Sequence, residues 1–149
     1  MKVRSDFVTN SSSSSFILAF SDEENIVKEL VAATPDWCIE WVGDLIRMVR
    51  DESVDWNAEN WDHLEEYLER EYRMDRSWEL YRSFSHELSE EDEKAVHEYV
   101  QSLISGLKKK AEGKVLKVIS IEDDTDDGSF LEHEVAPELG NLIYQINNH

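Results

Sequence analysis

The densest cluster of possible ligand groups is Asp123-Asp124-Thr125-Asp126-Asp127-Gly128-Ser129-Phe130-Leu131-Glu132-His133-Glu134. Read as a twelve-residue calcium loop, it puts Asp123 first, Thr125 third, Asp127 fifth, Gly128 sixth and Glu134 twelfth. Oxygen donors then fall where a hard cation needs them. Two positions depart from that pattern: Thr125 stands where Asp or Asn is usual, and Leu131 fills a ninth position that is normally polar. The residues before the loop also read as strand, not as the incoming helix of such a site. The competing reading is an acidic hairpin turn, because Asp and Gly are strong turn formers. The expectation is no cofactor, with Ca2+ at this loop as the alternative.

Other chemistry is thinly represented. His63, His86, His97, His133 and His149 never fall into the His-Glu-x-x-His spacing that sets two imidazoles on one helical face for zinc. Among 34 acids no carboxylate pair stands out, since a hydrolytic pair is marked by a cleft and a raised pKa. The glycines, at 43, 106, 113, 128 and 140, match neither phosphate-loop fingerprint. Cys38, the lone cysteine, forms no internal disulfide and reads as a small buried hydrophobe. Trp37, Trp41, Trp61 and Trp78 lie at helical spacings and read as core. Trp56 is set apart, in the acidic connection 51–57, where an exposed aromatic would suit an anchor for a basic partner.

The elements that must position these groups follow from periodicity. Phe16 to Phe20 reads as a first strand, short, apolar and flanked by polar clusters. Ser21 with Glu24 forms a capping box for a helix over 22–33. Pro35 starts a second helix whose buried stripe is Trp37, Trp41, Leu45 and Val49, flanked by Cys38, Val42 and Ile46. A third helix begins at Asn57 with Trp61, Leu64 and Leu68 inward and Glu59, Asp62, Glu65, Glu66 and Glu69 outward. Ser77 caps a short helix carrying Trp78, Tyr81, Phe84 and Leu88. Ser89 opens the longest one, acidic at its start, basic at Lys108-Lys109-Lys110 and stopped by Gly113. The period then shifts: Val115 to Ile121 reads as a buried strand, Phe130, Leu131 and Val135 as another, and Leu142 to Ile146 as a last.

At 149 residues and 40% apolar content the chain suits one domain with one core. No run approaches the roughly 20 apolar residues of a membrane span, and the apolar piece at 16–20 is too short for a secretory core. A cytoplasmic location follows. The formal charge is −19, and residues 1–20 hold Lys2, Arg4 and Asp6, a net +1, so −20 belongs to residues 21–149. Such a field repels phosphate backbones and anionic lipids and favours basic partners or metal cations. No direct nucleic-acid or membrane binding is expected on this ground.

Lys2-Val3-Arg4-Ser5-Asp6-Phe7-Val8-Thr9-Asn10, followed by Ser11 to Ser15, Phe16 and Ile17, resembles an N-terminal segment that recurs on otherwise dissimilar uncharacterised proteins of bacteria and their phages. The resemblance covers about the first eighteen residues and carries no activity with it. It implies a leader, a docking tag or an element that pairs as a β-ribbon. Ser11, Ser12, Ser13, Ser14 and Ser15 are candidate modification sites, because phosphorylation would reverse the local charge.

The fold expected is α+β: about five helices forming one layer or end, and a small, mainly antiparallel sheet from residues 16–20 and the C-terminal third. Residues 1–15 are expected as a serine-rich arm and residues 16–149 as a single acidic domain, with the oligomeric state open. The leading functional expectation is a non-enzymatic interaction protein or inhibitor. It would show a nucleic-acid-like anionic surface, at 51–71 and 87–93, to a basic partner through Trp56, Glu59, Asp62, Glu65, Glu66, Glu69, Glu90 and Glu91. The alternatives are a calcium-binding domain using Asp123, Thr125, Asp127 and Glu134, and a hydrolase or transferase with no motif of its own.

Overall fold

The computed structural model describes residues 13–73, 88–122 and 124–147. Its strands are β1 (Ser13–Phe20), β2 (Val54–Asp55), β3 (Val115–Glu122) and β4 (Leu142–Asn147). They form one antiparallel sheet in the order β2-β3-β1-β4. Every residue of β1 is buried. Side chains alternate along a strand, so Phe16, Leu18 and Phe20 enter one core cluster and Ile17 and Ala19 the other. A strand covered on both faces needs apolar residues at successive positions, and 16–20 supplies them.

β1 begins three residues earlier than its apolar run. Ser13, Ser14 and Ser15 stand opposite Glu122, Ile121 and Ser120 of β3, and Ser14 and Ser15 also face Asn147 and Ile146 of β4. A strand between two others has ladder partners for its backbone on both sides, which makes burial of a polar segment tolerable. The hydroxyls are engaged too. Ser14 Oγ donates to Asn147 Oδ1 at 2.9 Å, and Ser15 Oγ lies 3.2 Å from Ser120 Oγ. These three serines are thus part of the sheet and not of an arm, while Ser11 and Ser12 lie outside the described residues.

The helices are α1 (Ile26–Ala33), α2 (Val42–Arg47), α3 (Ala58–Arg73), α4 (Glu90–Ala111) and α5 (Asp126–Phe130). They cover both faces of the sheet, where the sequence suggested one layer. α3 and α4 bury Trp61, Leu64, Leu68, Val100, Ile104 and Leu107 against Ile17, Ala19, Leu116, Val118 and Ile146. On the other face, Leu30 of α1, Leu45 of α2 and Leu131, Val135 and Leu139 beyond α5 close over Phe16, Leu18, Phe20 and Ile119. The two sets correspond to the two alternating faces of β1 and β3.

Caps explain where these helices start. Ser89 Oγ accepts from Asp92 N–H at 3.1 Å, a capping box, and α4 ends with Lys108 to Lys110 in its last turn and Gly113 at φ 74°. Asn57 and Asn60 form the reciprocal pair ahead of α3, each side-chain oxygen accepting the other's backbone N–H, at 2.9 and 3.2 Å. The expected Ser21–Glu24 box is absent. Asp22 accepts from Asn25 N–H at 2.9 Å and Glu29 reaches back to Ser21 N–H at 3.0 Å, so α1 starts at Ile26.

Two further expectations are corrected. Residues 36–41 wind as 3₁₀-helix before α2, and its tighter period keeps Cys38 in the core but leaves Trp37 56% exposed. The strand expected around Phe130 to Val135 is helical, as α5 followed by a π-turn at Leu131–Val135. Its apolar positions Leu131, Val135, Ala136 and Leu139 follow helical spacing, and Thr125 Oγ1 caps it by accepting from Gly128 N–H at 2.9 Å. The short helix expected after Ser77 lies outside the described residues up to Leu88.

Gly128 is required by contact and not by conformation. A Cβ there would lie 2.3 Å from Glu122 O and 2.9 Å from Thr125 Oγ1. Gly128→Ala should therefore destabilise the fold by roughly 1–3 kcal/mol, even though alanine favours helix. A lower urea midpoint with unchanged slope is expected, and a midpoint equal to the parent's would show that the 122–128 turn relaxes freely.

Candidate functional site

The acids of α3 and α4 come together because both helices turn their apolar stripes to the same sheet face. α3 carries six acids against two arginines, and the first nine residues of α4 carry five acids against Lys94. Glu59, Asp62, Glu66 and Glu90 to Glu93 are exposed, while Glu65 and Glu69 are half-buried. The helices lie side by side: His97 Nδ1 of α4 is 2.5 Å from Glu69 Oε1 of α3. The acids of this layer are thus Glu59, Asp62, Glu65, Glu66 and Glu69 along α3 and Glu90 and Glu91 in the first turn of α4, whose last turn carries the exposed Lys108 to Lys110. The four acids at the start of α4 are also favoured there by the helix dipole.

Trp56 is not part of this surface. It is 7% exposed, packed edge-to-face on Trp61 with centroids 5.4 Å apart, and its backbone N–H donates to Leu116 O at 3.1 Å. Its chain segment is an edge of the sheet, β2, and not the solvated loop expected, which draws the indole under α3. The aromatics that do reach solvent beside the acids are Tyr72 and Tyr99, 48% and 53% exposed, their rings 5.3 Å apart. The Tyr72 phenol has its pKa raised, first by its hydrogen bond to Tyr99 and then by burial. Sequence reading passed over this pair because each tyrosine sits at a helical boundary between stripe and surface.

Of the calcium-loop residues, Thr125, Asp127 and Glu134 are spread along a helical segment. Asp123 lies outside the described residues. Thr125 uses its hydroxyl as the cap of α5, Asp127 is exposed in the first turn of that helix, and Glu134 is exposed in the π-turn beyond it. Among the described residues no three His, Cys, Asp or Glu side chains gather in a group that could hold a metal ion. Glu132 is fully buried, with His133 Nε2 3.0 Å from its Oε1. The Cys38 thiol is buried as well, its pKa raised by burial and then by the charge of Glu138. No described helix is long and apolar enough to cross a membrane.

A second polar site was hidden inside a strand. Lys117 lies within the apolar run of β3, directly opposite Asp55 of β2, and its side chain is 13% exposed. Its Nζ is 2.5 Å from Asp55 Oδ1 and 3.2 Å from Glu23 Oε1. Burial disfavours the ammonium, the two carboxylates favour it, and the balance leaves its pKa above the ordinary lysine value. The available signal was a single cation between Leu116 and Val118, where the strand period puts it on a covered face.

No family model, curated protein or solved structure matches this chain. Function is therefore read from its own chemistry.

Two outcomes follow for the buried polar groups. Ser13, Ser14 and Ser15 are fully buried, so a modifying enzyme reaches them only when β1 is unpaired. Ser15→Asp, which puts a charge there, should cost about 3–5 kcal/mol in urea unfolding, far more than Ser15→Ala; equal losses would mean that the strand yields locally. Lys117 has a folded pKa above its unfolded one, so its contribution is complete below the unfolded value and is lost as pH climbs through the folded one. Unfolding free energy should fall above about pH 10, and Lys117→Met should remove part of that slope, leaving the part due to tyrosines such as Tyr72 and Tyr144, whose pKa values are also raised. An identical slope in the variant would show that the Asp55–Lys117–Glu23 bonds do not persist in solution.

Proposed function

We propose that the protein is a non-enzymatic interaction protein that binds a basic protein partner through the outer face of α3 and α4. The observation that carries this reading is that α3, with six acids against two arginines, packs side by side with α4, whose first turn holds four exposed acids, so that carboxylates line much of this outer layer. Neutralising such a layer with lysines and arginines relieves repulsion among its own carboxylates, so association gains electrostatically as well as by contact. Tyr72 and Tyr99 supply aromatic contact area at the same face, and aromatic groups of this kind anchor interfaces more strongly than the rim charges around them. Rows of carboxylates on paired helices share the charge sign of a nucleic-acid backbone, which suits an inhibitor of a nucleic-acid-binding protein.

Location and total charge can be separated. A variant with Glu59, Asp62 and Glu66 changed to lysine alters the proposed face. One with Asp36, Glu40 and Glu138 changed to lysine makes the same charge change on exposed positions of the opposite layer. Fluorescence anisotropy with a labelled lysine-rich peptide should show binding that weakens steeply with salt. The first variant should lose roughly tenfold or more in affinity and the second much less. Equal losses in the two variants would reduce the effect to net charge and remove the assigned face.

A further inference from the structure

We infer that a second binding site, for an apolar zwitterion such as an amino acid or a short peptide with free termini, lies on the opposite side of the sheet. A cavity of about 530 Å³ opens there between α1, α2 and the β2 edge. That is within the range of small-ligand sites. Its floor is apolar, formed by Ile26, Val27 and Leu30 of α1 with Ile46 and Val49 from the second helical segment. Its rim is charged with both signs: Glu23, Glu24 and Asp55 against Lys117 and Arg50.

The state of these charges selects the ligand. Glu23, Asp55 and Lys117 already satisfy one another in the ion triplet. Arg50 and Glu24 make no ion pair or hydrogen bond among the described residues, so the rim offers one uncommitted cation and one uncommitted anion. Lys117 adds a third N–H beyond the two its carboxylate partners take. A carboxylic acid with an apolar tail would satisfy Arg50 but meet three carboxylates and a chain charge of −19. An amine with the same tail would satisfy Glu24 but leave Arg50 unmatched and face the Lys117 ammonium. A zwitterion satisfies both signs, carries no net charge against the field of the protein, and places its hydrocarbon part on the floor. Ser53, the remaining polar lining residue, is committed to its own helix end through its hydroxyl, which donates to Val49 O.

This site shares no residue with the α3–α4 face and stands or falls independently of it. The test is calorimetric titration of the full chain with leucine and with leucyl-leucine, beside glycine, isocaproate and isoamylamine. Saturable binding of leucine or leucyl-leucine is expected, weaker by roughly tenfold or more for the three truncated analogues. Binding of leucine alone assigns the site to free amino acids, and binding of leucyl-leucine alone assigns it to peptide termini. Arg50→Gln and Glu24→Gln, at exposed positions, should each weaken binding by a similar factor while leaving the melting temperature unchanged. Saturation by neither zwitterion, isoamylamine or isocaproate binding as tightly as leucine, or indifference to both substitutions would each overturn the inference.

Discussion

The burial of β1 on both faces and along both edges is the constraint from which the rest of the architecture follows. Its backbone partners are β3 and β4, contributed by the C-terminal third, so β1 acquires its neighbours from residues about a hundred positions or more away. Closure of such long loops is costly before contacts repay it, and the apolar run 16–20 repays it on two sides at once. Because β1 and β3 alternate between two cores, helices must lie on both faces of the sheet. A one-layer arrangement would have left either Phe16, Leu18 and Phe20 or Ile17 and Ala19 in water.

That geometry also disposes of the charge. Each helix turns its inward stripe to the sheet, so acids in α3 and α4 are driven to the outer surface, most densely along α3, with six acids against two arginines, and in the first turn of α4. The repulsion this creates is offset locally. Glu90 to Glu93 sit at a helix N-terminus and Lys108 to Lys110 at the same helix's C-terminus, both favourable to the peptide dipole. The field also guards the sheet. β4 is a six-residue edge, long enough to template another strand, but a second copy would bring a body of the same strong negative charge against it. At the other edge β2 is two residues long, too short to recruit a neighbour.

Much of this was legible where one rule operates alone. α3, α4 and β3 carry clean periods and caps, and the stop at Gly113 coincides with its positive φ. The misreadings lie where two rules compete. Ser13 to Ser15 have the composition of an arm, yet a position between two strands satisfies their backbone and makes composition irrelevant. Residues 126–135 contain the turn formers Asp and Gly, but Leu131, Val135 and Leu139 recur at helical spacing and a core awaits them. Trp37 and Trp56 exchange roles for a related reason. A 3₁₀ period turns the first outward, and an unforeseen two-residue strand carries the second inward. The outward positions of the α3 acids were legible in outline, since they follow from the inward ones, whereas the exposure of Tyr72 and Tyr99 depended on how two helices meet.

Lys117 shows how a local polar requirement becomes a cavity. Register sets it opposite Asp55 and on the same sheet face as Phe16 and Leu18, where α1 and α2 would otherwise close over apolar side chains. An ammonium in that position needs carboxylates, and the available ones are Asp55 on β2 and Glu23 just ahead of α1. Both must stay near the rim, because each keeps most of its own side chain in water. The helices therefore pack on Leu30, Leu45 and Val49 but stop short of the lysine, and the gap between their apolar sides and the ion triplet is the space that lines up hydrocarbon with charge. The same triplet ties the short β2 strand to the loop before α1, so the cavity and the protected edge of the sheet have one origin. A methionine at this position would let the layer close, at the loss of both.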